Sequence, residues 1–330
     1  MKSFGIKLIP FVVGAASFWL LGWYQANFHA HEGDLVRTGF LITQRHYEDP
    51  DPIPTARDTA IHDILLVGDS HLNQSPTNRR FQEHITIPMS VHSHWSYEGS
   101  LNPITLGVSL ARKQKPKLVV FEMVERNLVH FALDHLHADS IETPPIITTR
   151  RAVGSQVFSH LGNGVRTSAA LLNIRHKWLK NDQSKVLTSR SSPPLHSHDQ
   201  ILITKKVWER RKPPGEVTSI INSVKQVLTQ QLEPFRTEFI IYVIPDKATV
   251  YSDFFECSDL HPSFLLNGAL PDKIHSPVHA MRRAVNDGIM EVYKYSDTHL
   301  GVNGAQITGT HLNGILEGWQ KTHPASRQPQ

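Results

Sequence analysis

The stretch "ILLVGDSH", residues 64–71, runs from a strand-like segment directly into a glycine and a serine. Four aliphatic side chains in a row, Ile64 to Val67, are typical of a strand buried on both faces of a sheet. Gly68 lets the backbone turn sharply, so Ser70 stands just after the end of the strand. The serine is either a nucleophile or part of an ordinary strand-to-loop turn, because Gly, Asp and Ser are all common turn residues.

Further aliphatic runs place this strand in a larger fold. Strand-length runs alternate with helical patterns, and the runs cover 61–67, 85–91, 118–124 and 239–244, with helices at 101–113, 217–232, 280–293 and 304–319. This alternation predicts an α/β fold with a parallel sheet covered on both sides. Residues 131–215 contain "ETPPI", "SSPPLHSH" and "RKPPGE", which predict an insertion of loops rather than a second sheet.

The N-terminus has the pattern of a membrane anchor. Lys2 and Lys7 precede the run from Leu8 to Tyr24, which carries no charge and has about the minimum length that crosses a bilayer. The acidic residues Glu32 and Asp34 follow it. Basic residues before the run and acidic residues after it predict an anchor whose N-terminus lies inside, with the rest of the chain outside the cytoplasm. A cleaved signal peptide is the alternative.

These features predict an order of regions along the chain. Residues 1–30 form the anchor or signal, 31–60 a Pro-rich stalk, and 61–320 the folded domain with its insertion at about 131–215. The net charge of +4 is small and scattered, so the composition gives no indication of nucleic-acid binding. The single cysteine, Cys257, excludes an intrachain disulfide and a Cys-based zinc cluster.

The histidines raise the question of a metal. His92 and His94 share one face of a strand, and with His71 they resemble part of a zinc site. No further ligand follows with metal-like spacing, so we expect neither a metal nor a cofactor. A second group, at His130, His135 and His137, is expected on the surface of a loop.

The partners that a nucleophilic serine needs stand near the C-terminus. In "SDTHLGVNGA", residues 296–305, Asp297 and His299 are two positions apart on a predicted loop. An aspartate in that position can fix the tautomer of the imidazole, which then faces a serine elsewhere in the fold. The alternative is helix capping, with Asp297 or Asn303 at the start of the helix near Gly304.

Four blocks together resemble the SGNH (GDSL-type) esterase superfamily, and most closely the bacterial alginate O-acetylation proteins. They are the Gly-Asp-Ser block, "KLVVFEMVERNL" at 117–128, "VIPDKATVYSD" at 243–253 and "DTHLGVNGA" at 297–305. The resemblance implies a three-layer α/β/α domain with a parallel sheet. It also implies acyl transfer through an acyl-serine, with Ser70 as nucleophile, His299 as general base and Asp297 as its orienter.

Two features depart from the pattern of the alginate proteins. Their Asp-Thr-His block precedes the serine block, whereas here the serine block comes first, as in ordinary SGNH proteins. Such reordering leaves a triad intact because geometry defines it. The tryptophan that follows the histidine in that family is Leu300 here.

Further residues receive roles by their position after strands. The oxyanion hole is assigned to the backbone amide of Ser70, to Gly99 and to Asn127, with turn and cap chemistry as the alternative for the last two. Candidate substrate contacts are His71, Lys247 and Tyr251, and for the last two a solvated loop is the alternative. We also expect a buried, structural ion pair among Glu122, Glu125 and Arg126.

The expected function is O-acetylation of an extracytoplasmic polysaccharide. The resemblance implies a multi-pass membrane partner that supplies the acetyl group. Two alternatives remain: an SGNH-type carbohydrate esterase or deacetylase with the same triad and water as acceptor, and an inactive SGNH-like subunit for polysaccharide assembly.

Overall fold

A computed structural model describes the chain over residues 62–72, 81–94, 102–137, 184–188, 200–204, 206–255, 260–293 and 299–323. The chain divides into two compact units, one of residues 1–50 and 148–185 and one of residues 51–147 and 186–330. Almost all described residues belong to the second unit. The anchor and stalk predicted within 1–60, together with Gly99 and Asp297, lie outside the described residues. Within the described part, no helix is both long and apolar enough to cross a membrane.

In the part of the chain that the structure describes, seven strands form two sheets. In chain order the strands are β1 (Ile64–Gly68), β2 (Ser90–Ser93), β3 (Leu118–Val124), β4 (Ser184–Thr188), β5 (Gln200–Thr204), β6 (Glu238–Ile244) and β7 (Ile274–His275). The main sheet has the order β2-β1-β3-β6-β7, and all its neighbouring strands are parallel. β4 and β5 form a separate two-stranded sheet, so the prediction that the insertion contains no second sheet was wrong.

Helices follow the strands of the main sheet. They are α1 (Pro103–Gln114), α2 (Glu125–Leu136), α3 (Lys206–Arg210), α4 (Pro214–Leu232), α5 (Lys247–Val250), α6 (Val278–Asn286) and α7 (Val302–Thr322). Short 3₁₀ turns lie at Ser70–Leu72, Phe81–His84, Glu233–Phe235 and Phe264–Leu266. Four helices expected from the sequence are present as α1, α4, α6 and α7, with shifted ends.

The main sheet separates two apolar cores. Alternate residues of each strand point to opposite faces, so Leu65 and Val67 enter one core while Ile64 and Leu66 enter the other. The first core contains side chains of α1, α2 and α4, and the second contains those of α6, α7 and the Phe81–His84 turn. The predicted α/β architecture with a parallel sheet covered on both sides is therefore confirmed.

Capping residues explain where α1 begins and ends. The Asn102 side chain accepts a hydrogen bond from the Ile104 amide at 2.8 Å, and Pro103 occupies the first helical position. The helix ends at Lys115, whose φ of 51° is left-handed. The predicted helix start near Asn102 is thus confirmed.

α2 corrects the expected boundary of the insertion. Residues 131–136 continue a helix that begins at Glu125 and packs Leu128 and Ala132 into the core. His135 on this helix is buried, with Nδ1 3.0 Å from Thr105 Oγ1 and Nε2 3.0 Å from Gln231 Oε1. The prediction that His130, His135 and His137 lie on a loop was wrong, since His130 and His135 are helical and His137 caps the helix.

The strand order creates a crevice at the carboxyl edge of the sheet. The connection after β1 leaves over the face that carries the Phe81–His84 turn, whereas the connection after β3 leaves over the face that carries α2 and α4. Neighbouring strands whose connections part in this way form a topological switch point, where α/β proteins bind their ligands. Ser70 follows β1 and Glu125 follows β3, so both lie at this point.

The start of α7 is packed against the preceding loop. Gly304 lies so close to the chain that a Cβ would stand 1.9 Å from the Val292 carbonyl oxygen. Gly314, on the same helix, has open space around its α-carbon. The two glycines therefore differ in packing within one helix.

Replacing each glycine by alanine is expected to have opposite effects. Gly304→Ala is expected to lower the free energy of unfolding by about 1–3 kcal/mol, because backbone atoms must move apart. Gly314→Ala is expected to raise it by up to about 1 kcal/mol, because alanine favours a helix. Urea unfolding of the full-length chain measures both, and equal effects from the two variants would contradict the close packing at Gly304.

Candidate active site

Ser70 is placed where the sequence predicted it. It is the first residue of the Ser70–Leu72 turn, and it follows β1 at the carboxyl edge of the sheet. The structure describes the backbone of this residue. Its backbone lies beside the crevice between the ends of β1 and β3.

His299 lies next to this turn. Its ring centroid is 5.1 Å from that of His71, and the two rings are tilted by 56°. His71 is buried and directly follows Ser70. The fold thus brings together two predicted site residues, His71 and His299, from opposite ends of the folded domain. The third triad residue, Asp297, and the oxyanion candidate Gly99 lie outside the described residues.

Asp69 fixes the backbone on both sides of Ser70. Its carboxylate accepts hydrogen bonds from the amide of His71 at 3.1 Å and from the amide of Val124 at 3.1 Å. Its carbonyl oxygen accepts a hydrogen bond from Ser93 Oγ at 3.2 Å. Asp69 therefore connects the serine turn to the ends of β2 and β3. The sequence interpretation treated this residue only as part of a turn.

Glu122 holds the same turn through the backbone amide of Asp69. Its Oε2 accepts a hydrogen bond from the Asp69 amide at 3.0 Å, and the side chain is fully buried. A Cβ at position 68 would lie 2.0 Å from that oxygen, so only glycine leaves room for the carboxyl group. Glu122 Oε1 has no hydrogen-bond partner among the described residues.

The pKa values of Asp69 and Glu122 are shifted in opposite directions. Burial disfavours the ionised form of Asp69 and would raise its pKa. Four neighbouring groups outweigh burial and lower the pKa of Asp69: the His71 ring, the amides of His71 and Val124, and the Arg126 charge. Burial raises the pKa of the Glu122 carboxyl well above its usual range, and the negative charge of Asp69 raises it further, against the opposing hydrogen bond from the Asp69 amide. The environment thus favours the ionised form of Asp69 and the neutral form of Glu122.

Asn127, an expected oxyanion donor, lies in the first turn of α2. Its Oδ1 accepts a hydrogen bond from Arg210 Nη1 at 2.6 Å. A guanidinium group only donates hydrogen bonds, so Arg210 contacts the oxygen and not the nitrogen of the Asn127 side-chain amide. This contact fixes the orientation of the amide, and Nδ2 points in a different direction. Arg210, which the sequence analysis did not identify, therefore sets the geometry of this candidate donor.

A buried ionic cluster joins the ends of β3 and β6. Arg126 Nη1 is 2.7 Å from Asp246 Oδ1, and Arg211 Nη2 is 3.3 Å from Glu125 Oε2 and 3.4 Å from Asp246 Oδ2. The expected ion pair among Glu122, Glu125 and Arg126 was wrong in its partners. Arg126 and Glu125 instead pair with residues that follow β6 and α3, which contribute charges from distant parts of the sequence.

Neutral groups complete this cluster. Glu125 accepts hydrogen bonds from Thr249 Oγ1 at 2.6 Å, Ser263 Oγ at 2.5 Å and the Asp246 amide at 2.9 Å. Buried ions are tolerated when their polar atoms are paired in this way. The cluster therefore anchors the loops after β6.

The expected substrate contacts Lys247 and Tyr251 are placed at the two ends of α5. Both are buried, with exposed fractions of 2% and 0%, so the alternative of a solvated loop was wrong. Burial also raises the pKa of the Tyr251 hydroxyl. Their role in binding substrate stays a prediction.

Neighbours of these two residues line a cavity. It has a volume of about 280 Å³ and lies beside α5, where it is bounded by hydroxyl, amide, imidazole and guanidinium groups and by apolar side chains. The polar residues of its wall are Arg211, Thr249, Ser252, His261, Ser263 and Asn267. Within the described ranges the wall contains no carboxylate. The cavity therefore suits a small polar ligand that is neutral or negatively charged.

The metal hypothesis concerned His71, His92 and His94. His94 packs against the ring of Phe131, with centroids 5.8 Å apart. Among the described residues there is no group of three or more His, Cys, Asp or Glu side chains arranged to hold a metal ion.

Comparisons with protein-family models, curated proteins and solved structures gave no match.

Glu122→Gln is expected to change how stability depends on pH. A carboxyl whose folded pKa is raised costs stability as pH rises above its unfolded value, 4.5, towards the folded value. Glutamine keeps the acceptor without this cost. Over that range the wild-type free energy of unfolding should fall relative to the variant by up to about 1.4 kcal/mol per pH unit.

Urea unfolding of the full-length chain at a series of pH values measures this difference. Glu233→Gln, which neutralises an exposed carboxylate, serves as the control. Parallel pH dependences for wild type and Glu122→Gln would contradict a neutral Glu122.

Proposed function

We propose that this chain is a serine-dependent O-acetyltransferase that acts on an extracytoplasmic polysaccharide. The observation that carries the proposal is the approach of His299 to the Ser70 turn, with its ring 5.1 Å from that of His71. Acyl transfer requires a base beside a nucleophilic serine, and a base close to the turn that carries Ser70, at the carboxyl edge of a parallel sheet, supports such a pairing.

The first half of the reaction forms an acyl-enzyme. Ser70 Oγ attacks the acetyl carbonyl carbon of the donor, and His299 takes the hydroxyl proton. The bond between the carbonyl carbon and the donor oxygen then breaks, and that oxygen leaves with the proton from His299. Asp297 orients the imidazole, as the resemblance implies. The tetrahedral oxyanion is stabilised by the Ser70 amide, Gly99 and Asn127.

The second half transfers the acetyl group. A sugar hydroxyl attacks the acyl-serine carbonyl, and His299 takes the proton of that hydroxyl. When the tetrahedral intermediate collapses, the Ser70 ester bond breaks and the proton returns to Oγ. Water as the acceptor gives the alternative carbohydrate esterase with the same residues.

The cavity beside α5 supports a saccharide as acceptor. β6 is two strands away from β1, so its end lies about 10 Å from the end of β1. The wall offers hydroxyl and amide groups together with the apolar ring of Phe255. Sugars present hydroxyl groups and apolar C–H faces, which match such a wall. In this proposal the cavity binds a sugar near the one that is acetylated.

The proposal extends to the cellular setting implied by the N-terminal sequence. The chain is anchored in the bacterial inner membrane, its domain faces the periplasm, and a multi-pass membrane partner supplies the acetyl group. The support is the charge pattern around the apolar run of residues 8–24 and the resemblance to the alginate O-acetylation proteins.

Ser70→Ala is expected to abolish acyl transfer. Turnover of p-nitrophenyl acetate by the full-length chain should fall about 1,000-fold or more, because no other described group replaces the nucleophile. Ser223→Ala, on the exposed face of α4, should keep wild-type turnover. A folded Ser70→Ala protein with undiminished turnover would exclude this nucleophile. Acetylated oligosaccharide in the presence of an acceptor distinguishes the transferase from the esterase.

Ser252→Trp is expected to weaken acceptor binding alone. The indole should fill the cavity and raise the KM for an oligosaccharide acceptor about tenfold, equal to the loss of one or two hydrogen bonds of about 1 kcal/mol each. Hydrolysis of p-nitrophenyl acetate should stay unchanged. Ser219→Trp, on an exposed position of α4, is the matched control. An unchanged acceptor KM would remove the cavity from the binding site.

A further inference from the structure

The turn that carries Ser70 is held through its neighbours. The Asp69 amide donates to Glu122 Oε2 at 3.0 Å, and the His71 amide donates to Asp69 Oδ1 at 3.1 Å. The first contact fixes the peptide unit between Gly68 and Asp69, and the second fixes the unit between Ser70 and His71. Glu122 is the outer member of this chain of contacts.

The fit between Gly68 and Glu122 is specific to this place. Gly68 lies one position beyond the Val67–Phe121 pair in the register of β1 and β3. Its missing side chain makes the space that the Glu122 carboxyl occupies, since a Cβ there would meet Oε2 at 2.0 Å. An acid inside an apolar layer costs stability unless its polar atoms are paired. Here one oxygen is paired with the serine turn and Oε1 with no described group.

We propose that Glu122 is a positioning residue for the Ser70 nucleophile, because its carboxyl group holds the Asp69 turn through the Asp69 amide. The inference rests on the proposed function, because it assigns Glu122 to the same reaction. A neutral acid accepts the Asp69 amide without placing a second negative charge beside the Asp69 carboxylate.

The charged and titratable groups around Glu122 fit this assignment. Asp69 follows β1 and is negative, while His71 and Arg126 lower the pKa of Asp69 and favour its ionised form. Tyr242 is the neighbour of Glu122 on β6. Its hydroxyl donates to the Thr308 carbonyl oxygen at 2.9 Å and lies 3.2 Å from Nδ1 of His311, both on α7. Ionisation of Glu122 would therefore add a negative charge next to Asp69.

The consequence for catalysis is a turn that loosens when Glu122 ionises or is removed. Repulsion between two carboxylates would displace the Asp69 carboxylate, which binds the amides of His71 and Val124, and the peptide unit between Ser70 and His71 would follow. A displacement of about 1 Å at a reacting group can cost about 100-fold in rate. Substrate binding at other surfaces would not change, so we expect kcat to fall while KM stays nearly the same.

The test compares four variants of the full-length chain by turnover of p-nitrophenyl acetate and by labelling of Ser70 with a fluorophosphonate. Glu122→Ala should lower kcat and the labelling rate about 10- to 100-fold with KM within about twofold of wild type. Glu122→Gln should keep near wild-type kcat at pH 7. On the alkaline side, wild-type kcat should decline whereas that of Glu122→Gln should not.

Two control variants distinguish an effect on the position of Ser70 from a loss of stability and from a failure of the proposed reaction. Tyr242→Phe removes a buried hydroxyl from the neighbouring position in the sheet but leaves the serine turn intact, and its kcat should stay within about twofold of wild type. Ser70→Ala should lose both turnover and labelling.

The following results would overturn the positioning role of Glu122 or the proposed function. Glu122→Ala with wild-type kcat, or Glu122→Gln with the same alkaline decline as wild type, would overturn the positioning role while leaving Ser70 as nucleophile. If Tyr242→Phe lost as much kcat as Glu122→Ala, the loss would come from general destabilisation of the fold. That result would also overturn the positioning role of Glu122. Undiminished labelling and turnover in Ser70→Ala would overturn the proposed function, and the role of Glu122 with it.

Discussion

The bridge made by the Asp69 carboxylate is the constraint on which the site depends. One oxygen binds the amide of His71 and the other binds the amide of Val124, so the end of β1 is tied to the end of β3. The switch point between these strands is where the fold leaves a crevice. Without this bridge, the serine turn would keep the contact of the Asp69 amide with Glu122 and that of the Asp69 carbonyl with Ser93, but it would lose its direct tie to the amide of Val124, next to α2.

A second set of polar contacts continues the same edge of the sheet. Glu125, Arg126, Asp246 and Arg211 connect the end of β3 to the end of β6. The faces of the sheet are apolar, and burial of those side chains supplies most of the favourable free energy of folding. Buried ion pairs add little net stability, but their directional contacts accept few alternative arrangements. We infer that the apolar layers hold the domain together while the polar edge fixes the loops at the crevice.

Sequence patterns predicted the parts of this structure that depend on local chemistry. The strand cores at 118–124 and 239–244 were predicted because their aliphatic runs are continuous. β2 was misplaced, since Ile85, Ile87 and Met89 pack against or within the core without forming a strand. α2 was missed because it starts directly after β3 with Val124 at its cap position, where no side chain caps the helix.

The supporting residues of the site could not be predicted in this way. The role of Glu122 follows from the register that places it beside Gly68, and the partners of Arg126 and Glu125 come from positions near 211 and 246. Such pairings are set by how strands align in three dimensions, which single-sequence periodicity does not determine. The helix-capping alternative for Asn303 also failed, because Gly301 occupies the cap and Asn303 donates instead to the Met290 carbonyl oxygen at 2.8 Å.

The distance along the chain between Ser70 and His299 has a consequence for biosynthesis. A ribosome makes the serine turn first and adds His299 roughly 230 residues later, followed by α7, whose first turn packs on the Val292 carbonyl. Until that helix docks, the nascent chain has a serine without its base. In the proposed reaction, the chain therefore gains its chemistry only after His299 and α7 have been added, and a chain released before that point has no base for acyl transfer.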